Sequence, residues 1–422
     1  MNRIVQPLSH RALQSKKLHD AHFGFMWNDG DGKTNKFRPQ GITSFTWSSL
    51  GGATESKDFH FVLVTWYGRT DEGYDNRGVR ISLVDITDIS SSSFSHTDEE
   101  EMKQIKYRHI LLVDENFCTF TDLHAGGVAY RDGKIYVPDS RHHPYTIHVF
   151  DIFSSIYEVT KTSSSPNEDL QHEQQEGEEE GGEDVFFNYR YVLQKEYTFI
   201  VPIKPSFLSY DSDRDSFVIG TYKYCGGDLM KHTDSEDCRK EVLNHLFWFD
   251  LGDVNNPDFQ SSSSCGPFFS EMQGAASGRY FVDSATGDII TDTDYNESDD
   301  IEEKGFLLVS SSYGPVWSSH LHSFNFDPRQ CEGSGSSRND VIDDNNDGIT
   351  NQINDDIVGD YDVFTYPSGL EDLHIEPSLY IPNNLDGNII GNDSVMKRNV
   401  WMLTEHGERM IFATHLEALL PN

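Results

Sequence analysis

The chain has 422 residues and a formal charge of −37, from 33 basic and 70 acidic side chains. Such a chain repels phosphate backbones and anionic membrane surfaces, so no nucleic-acid partner is expected; solubility is the plain reading of the charge, and affinity for cations is the functional one. No run of about 18 apolar residues occurs, so no membrane span is expected, while 12% aromatic residues supply ample material for a core.

The first twenty residues carry a weak helical pattern, as does 234–245. Between and beyond them, short β-type runs recur in chain order: FVLVTWY (61–67), GVRISLVD (78–85), RHILLV (108–113), GKIYVPDS (133–140), TIHVFDI (146–152) and YRYVLQKEY (189–197). SFVIGTYKY (216–224), HLFWFDL (245–251), RYFVDS (279–284), FLLVSS (306–311), HLHSFNF (320–326), NVWMLTEH (399–406) and RMIFATHL (409–416) follow. They are rich in Val, Ile, Phe, Tyr and Trp and bounded by Gly, Asp, Asn or Ser, which is the chemistry of strands joined by hairpins. Segments 90–104, 162–184, 261–264 and 331–360 are Ser-rich or acidic. Low hydrophobicity and high charge leave them unable to offset the entropy of ordering, so they are expected to be disordered insertions.

Five times a small or polar lead precedes a more apolar strand: RPQGIT (38–43), LHAGGVAY (123–130), PSFLSY (205–210), EMQGAA (271–276) and SGLEDL (368–373). Later strands close in apolar–Asp pairs such as Val84-Asp85, Phe150-Asp151 and Phe249-Asp250. A propeller blade reads this way, because its innermost strand crowds the axis and must be short and small. The expectation is an all-β chain with one domain over 1–422. It is a five-bladed β-propeller with acidic low-complexity loop insertions, its N-terminal segment supplying the outer strand of the fifth blade. Six or seven blades and a β-sandwich array are the alternatives.

In a propeller the starts of the inner strands gather around one axial mouth. Gln40, His124, Gln273, Glu371 and Asp372 would converge there, with His124, Glu371 and Asp372 as catalytic candidates and Gln40 and Gln273 as ligand-binding ones. A histidine titrates near neutrality and a carboxylate complements it, so the set suits acid/base work or a divalent cation. Glu371 and Asp372 are adjacent and face opposite sides of a strand, so one points to the axis and the other braces a neighbour. Polar residues that only hydrogen-bond adjacent blades are the structural alternative. Asp139 and Asp283 end second strands and could supply a further acid, an analogy with glycoside hydrolases. Trp66, Tyr67, Tyr222 and Trp317 could stack on sugar faces or pack in the core.

Asp343, Asn345 and Asp347 with Gly348 match the start of a calcium loop, but its twelfth position is Asn354 rather than Glu, and a solvated acidic loop competes with that reading. His320 and His322 share a strand face and could chelate, with a surface histidine pair as the alternative. No GxSxG, HExxH or GxGxxG occurs, and GDGKT (30–34) lacks the first glycine of a P-loop. Five cysteines, Cys118, Cys225, Cys238, Cys265 and Cys331, form no CxxC pair. Cys225 and Cys238 bracket a polar loop that a disulfide could close, and free thiols fit the spacing equally.

The segments PQGIT, FVLVTWY, GVRISLVD, YRHILLV, HAGGVAY, MQGAA and GLEDL…NVWMLTEH…ERMIFA, in that order, resemble a group of uncharacterised, mostly secreted, actinobacterial-type microbial proteins that are β-propeller-like. The resemblance spans most of the chain outside the insertions and implies no activity. The acidic inserts and a first stretch without a signal peptide's apolar region depart from that group, so the chain reads as cytoplasmic as written, with secretion as the alternative. The expected function is an enzyme acting on a small polar or saccharide-like substrate in an axial pocket, by acid/base or cation-assisted chemistry. The cofactor is unknown, calcium being the candidate cation. A non-catalytic ligand-binding or scaffold propeller is the alternative.

Overall fold

The computed structural model describes residues 3–16, 18, 21–49, 57–68, 77–90, 105–159, 186–187, 189–221, 244–251, 263–268, 272–286, 289, 301–312, 319–326, 361–366, 370–376, 398–405 and 409–420. These residues are all-β, with strand far outweighing helix. The calcium-loop candidates Asp343, Asn345 and Asp347 lie outside them, as do Tyr222, Trp317, Cys225, Cys238, Cys331 and nearly all of the three long insertions.

The N-terminus contributes β1 (Arg3–Ile4), β2 (Gln6–Pro7), α1 (His10–Ser15), β3 (Ala21–Met26) and the turn α2 (Asp29–Gly32). Ser9 caps α1, its hydroxyl accepting from the Ala12 amide at 3.2 Å. A first antiparallel meander follows: β4 (Phe37–Ser49), β5 (Lys57–Gly68), β6 (Val79–Asp85) and β7 (Lys106–Val113). The second is β8 (Ala129–Arg131), β9 (Lys134–Asp139), β10 (Thr146–Asp151), the short β11 (Ile156–Glu158) and β12 (Tyr191–Ile200). The third is β13 (Phe207–Asp211), β14 (Ser216–Gly220), β15 (Asn244–Asp250) and β16 (Ser263–Phe268). The fourth is β17 (Met272–Asp283), β18 (Ile301–Ser311), β19 (Ser319–Asn325) and β20 (Tyr361–Tyr366). The fifth is β21 (Leu370–Ile375), β22 (Asn399–Thr404) and β23 (Met410–His415), completed by β3 and edged by β2. The N-terminal segment thus closes the last meander, pairing Phe23 with Ala413 and Phe25 with Ile411.

Hydrogen bonding divides these strands into four sheets rather than the five separate sheets expected of a propeller. The reason is β12, which is ten residues long. Its second half pairs antiparallel with β10, while Val192–Gln194 pair in parallel with Leu111–Val113 of β7. The first two meanders, with β1 paired to the edge of β7, therefore merge into one ten-stranded sheet, which curls until β4 and β8 touch and so forms a nearly closed, barrel-like sheet. Two further readings are corrected. The serines at 263 and 264 lie in β16, not in a disordered insertion. Residues 272–276 and 279–283 lie on one continuous strand, because the small residues from Gly274 to Gly278 keep register with β18.

Apolar cores lie between successive meanders. Ile42 and Trp66 of the first pack with Phe25 and Trp401 of the fifth. Leu63 and Ile81 meet Ile135 and Val137 of the second. Tyr136 and Ile147 meet Phe217 and Phe249 of the third, whose Val218 and Trp248 face Leu307 and Val309 of the fourth. Phe306 and Leu308 then meet Leu373 and Phe412 of the fifth, which completes a cycle. Alternate residues of β9, β14 and β18 serve two different cores, which is why these strands read as unbroken apolar runs. No helix among the described residues is long and apolar enough to cross a membrane.

Candidate functional site

The first strand of each meander touches the first strand of the next: β4 with β8, β8 with β13, β13 with β17, β17 with β21, and β21 with β4. Glycines permit the approach. A Cβ on Gly41 would lie 2.5 Å from the Gly127 carbonyl carbon, and one on Gly127 would lie 2.3 Å from the Leu208 amide nitrogen. A Cβ on Gly274 would lie 2.6 Å from Asp372 Oδ1.

At this crowded end three strands carry a bulge. Register shifts between Pro39 and Gly41, between Met272 and Gly274, and between Leu370 and Asp372 leave Gln40, Gln273 and Glu371 outside the ladder. A bulge re-aims the side chain of its extra residue, so the same local defect turns out three of the five expected mouth residues. His124 occupies the corresponding place ahead of β8, followed by Ala125 at φ +49°, a left-handed conformation strained for a residue with a Cβ. The Ala125 carbonyl accepts from Thr65 Oγ1 at 3.2 Å, and Thr65 accepts from the Gly41 amide at 2.9 Å, which pins the histidine's turn to β4 and β5.

Glu371 is 4% exposed and hydrogen-bonds Glu405, itself 6% exposed at the end of β22. Gln40 Nε2 donates across the pair, at 3.4 Å to Glu371 Oε2 and 3.1 Å to Glu405 Oε2. Arg38 Nη1 donates to Glu405 Oε1 at 2.7 Å, and Arg409 Nε donates to the Glu405 carbonyl at 3.1 Å. Burial pushes the Glu371 carboxyl well above the usual range, and the negative charge of Glu405 adds to this, while Arg38 opposes it. Burial and the Glu405 charge therefore favour a proton on Glu371, while Arg38 favours the charged form of Glu405. Arg409 falls to about 10 through burial.

Close to the pair stands Tyr67, raised to about 12 by burial and by the charge of Glu405. The His124 ring lies 4.8 Å from the Tyr67 ring, centroid to centroid. Burial, helped by Arg141, lowers His124 to about 4, against the opposing charges of Glu405 and Asp139, so it is neutral at pH 7. His124, Ser140, Arg141, Lys204 and Ser206 line a cleft of about 450 Å³.

The other expected residues divide. Asp372 braces: its Oδ2 accepts from the Ile42 amide at 2.9 Å, joining the fifth meander to the first, and burial raises its pKa. No hydrogen bond among the described residues joins Gln273 or His124 to the carboxyl pair. Asp139 accepts from the Arg141 amide at 2.9 Å and lies 3.4 Å from His142, while Asp283 accepts from the Ala285 and Thr286 amides as a turn residue. Neither forms a pair with Glu371. The Glu371–Glu405 contact is also much closer than the roughly 5–9.5 Å between the carboxyls of glycoside hydrolases, so that analogy fails. Trp66 is core, its Nε1 donating to Ser82 at 2.8 Å. His322 is buried rather than superficial, accepts or donates at 3.2 Å with Ser311, and sits 6.1 Å from His320. Among the described residues no group of three His, Cys, Asp or Glu is arranged to hold a metal.

Sequence reasoning missed Arg38, Glu405 and Arg409, and named Tyr67 only as a candidate to stack on sugar. Arg38 stood two residues from Gln40, and Glu405 closed a predicted strand. Both signals were available, but their partners are more than 360 residues apart in the chain.

A second polar cluster lies deeper. Asp31, 3% exposed, bonds Arg3, Arg80 Nη2 (3.0 Å) and Tyr107 Oη (2.5 Å), and sits 3.0 Å from His109 Nε2. Burial would raise its carboxyl, but His109, Arg80 and Tyr107 hold it well below the ordinary value. Ser82 bonds His109 Nδ1 at 2.8 Å, so the trio has Ser-His-Asp connectivity. Ser82 is wholly buried and already accepts from Trp66, so this network braces the N-terminal closure.

The sequence matches no protein-family model and no curated protein. Function must therefore be argued from the site.

Proposed function

We propose that the five meanders form a five-bladed propeller whose first two blades are stitched together by β12, and that its axial mouth is the active site of an enzyme acting on a small polar, saccharide-like substrate. The single observation that carries the activity is the buried, hydrogen-bonded Glu371–Glu405 pair held by Gln40 and Arg38, an arrangement that favours one shared proton. A pair in mixed protonation states can take a proton from an attacking water and return one to a leaving group. The cyclic contacts of the inner strands support the ring. Cys265 is disulfide-bonded, which supports secretion over a cytoplasmic home.

A panel of 4-nitrophenyl esters and sugar lactones tests the activity. At least one class should be turned over, and Glu405→Gln or Glu371→Gln should slow it by about 10²–10⁴-fold with the fold intact, the range for losing general acid/base catalysis. Unchanged turnover in both variants, or none by the unmodified protein, would overturn the reading. The burial of both carboxyls favours the second reading, a binding or scaffold module without turnover.

A further inference from the structure

The cleft beside His124 has an unusual chemical balance for so acidic a chain. Among the described residues its lining is His124, Ser140, Arg141, Lys204 and Ser206, with no carboxylate. Arg141 and Lys204 are obligate donors, and the two serine hydroxyls donate as readily as they accept. Lys204 is exposed and has no carboxylate partner among the described residues, and Arg141 reaches only Asp122, at 3.4 Å on the exposed side.

The cations are positioned by the fold. Ser140 and Arg141 follow the end of β9, where the Arg141 amide donates to Asp139 Oδ1 at 2.9 Å. Lys204 and Ser206 precede β13, where the Ser206 amide donates to the Gly220 carbonyl at 2.8 Å. A Cβ on Gly126 would lie 2.0 Å from the Ser206 carbonyl oxygen, so the His124 turn and the β13 lead are locked together. A neutral sugar face needs acceptors as well as donors, whereas this lining calls for an acceptor-rich ligand. In a chain of net charge −37, the two cations at the cleft oppose the Asp139 and Glu405 charges that also reach His124 and supply the attraction an anion needs.

We propose that this cleft binds the anionic substituent, a carboxylate or sulfate, of an acidic sugar-like ligand, with Arg141 and Lys204 as its charge partners and Ser140, Ser206 and His124 completing the hydrogen bonds. The proposal rests on the axial mouth being the functional site and narrows its substrate to an acidic one. The depression of His124 has the same origin: burial and the Arg141 charge disfavour a proton that a bound anion would restore.

Isothermal titration calorimetry of the full chain with D-glucuronate, glucose 6-sulfate and D-glucose tests it. At least one anion should bind about tenfold or more tightly than glucose, and the stronger of the two identifies the group. Arg141→Ala and Lys204→Ala should each weaken it by about tenfold or more, as expected for loss of a charge-assisted bond. Binding should also weaken with salt, and Glu371→Gln should retain it. Equal affinity for glucose, anion binding indifferent to both variants, or no anion binding would overturn the proposal. Anion binding without turnover would sink the acid/base reading alone, and turnover sensitive to Glu371→Gln without anion binding would sink the anion cleft alone.

Discussion

Glu371→Gln isolates the proton that the carboxyl pair retains. Glutamine keeps the shape, and its amide can donate to Glu405 as the carboxyl does. The folded protein holds Glu371 protonated well above its ordinary value of 4.5, because the side chain is buried beside Glu405. Below about that pH both folded and unfolded chains carry the proton, and the linkage is silent. Above it the unfolded chain releases the proton and the folded chain does not, so stability falls as pH rises, up to the raised folded value. The slope for one proton is about 1.4 kcal/mol per pH unit. Asp372, Glu376 and Asp211 are raised in the same direction by burial, but they are common to both proteins and cancel in the difference. Guanidinium unfolding of the two proteins between about pH 5 and 8 should therefore show the variant gaining on the unmodified protein with rising pH, by about 1.4 kcal/mol per unit over the first part of the range. Parallel stability curves would refute the shared proton, and with it the assignment of Glu371 as the acid.

Two other perturbations probe the scaffold. Gly127→Ala forces a methyl to within 2.3 Å of the Leu208 amide, so it should cost about 1–3 kcal/mol or more in urea unfolding, the range for overpacking; a neutral result would mean the inner strands can part. Asp31→Asn breaks a buried network of Arg3, Arg80 and Tyr107 and should cost about 3–5 kcal/mol at pH 7. Because the Asp31 pKa is depressed, its contribution is present above about pH 3.8 and lost as pH falls below it, so the two proteins should converge in acid.

Local pattern was enough to reveal the strands and much of their order. Alternating β-branched and aromatic runs bounded by turn residues overlap β5, β6, β9, β10, β14 and β22, and the five polar leads mark the first strand of each meander. They also named Gln40, Gln273 and Glu371, since a small polar lead is what a crowded, bulged inner strand requires, although only the pairing registers show that the three are bulge residues. β3 escaped notice because Gly24 interrupts its pattern, a glycine needed where Leu13 of α1 packs within 3.0 Å of its Cβ position. What sequence could not decide was everything set by contacts distant in the chain. The parallel seam between β7 and β12 joins segments about 80 residues apart, and no local propensity encodes which strand a long edge will cross to. The protonation of Glu371 depends on Glu405, Gln40 and Arg38, which meet only when the first and last meanders close on each other. Charge state is a property of desolvation and neighbours, so a glutamate read in the sequence became an acid only in the folded chain.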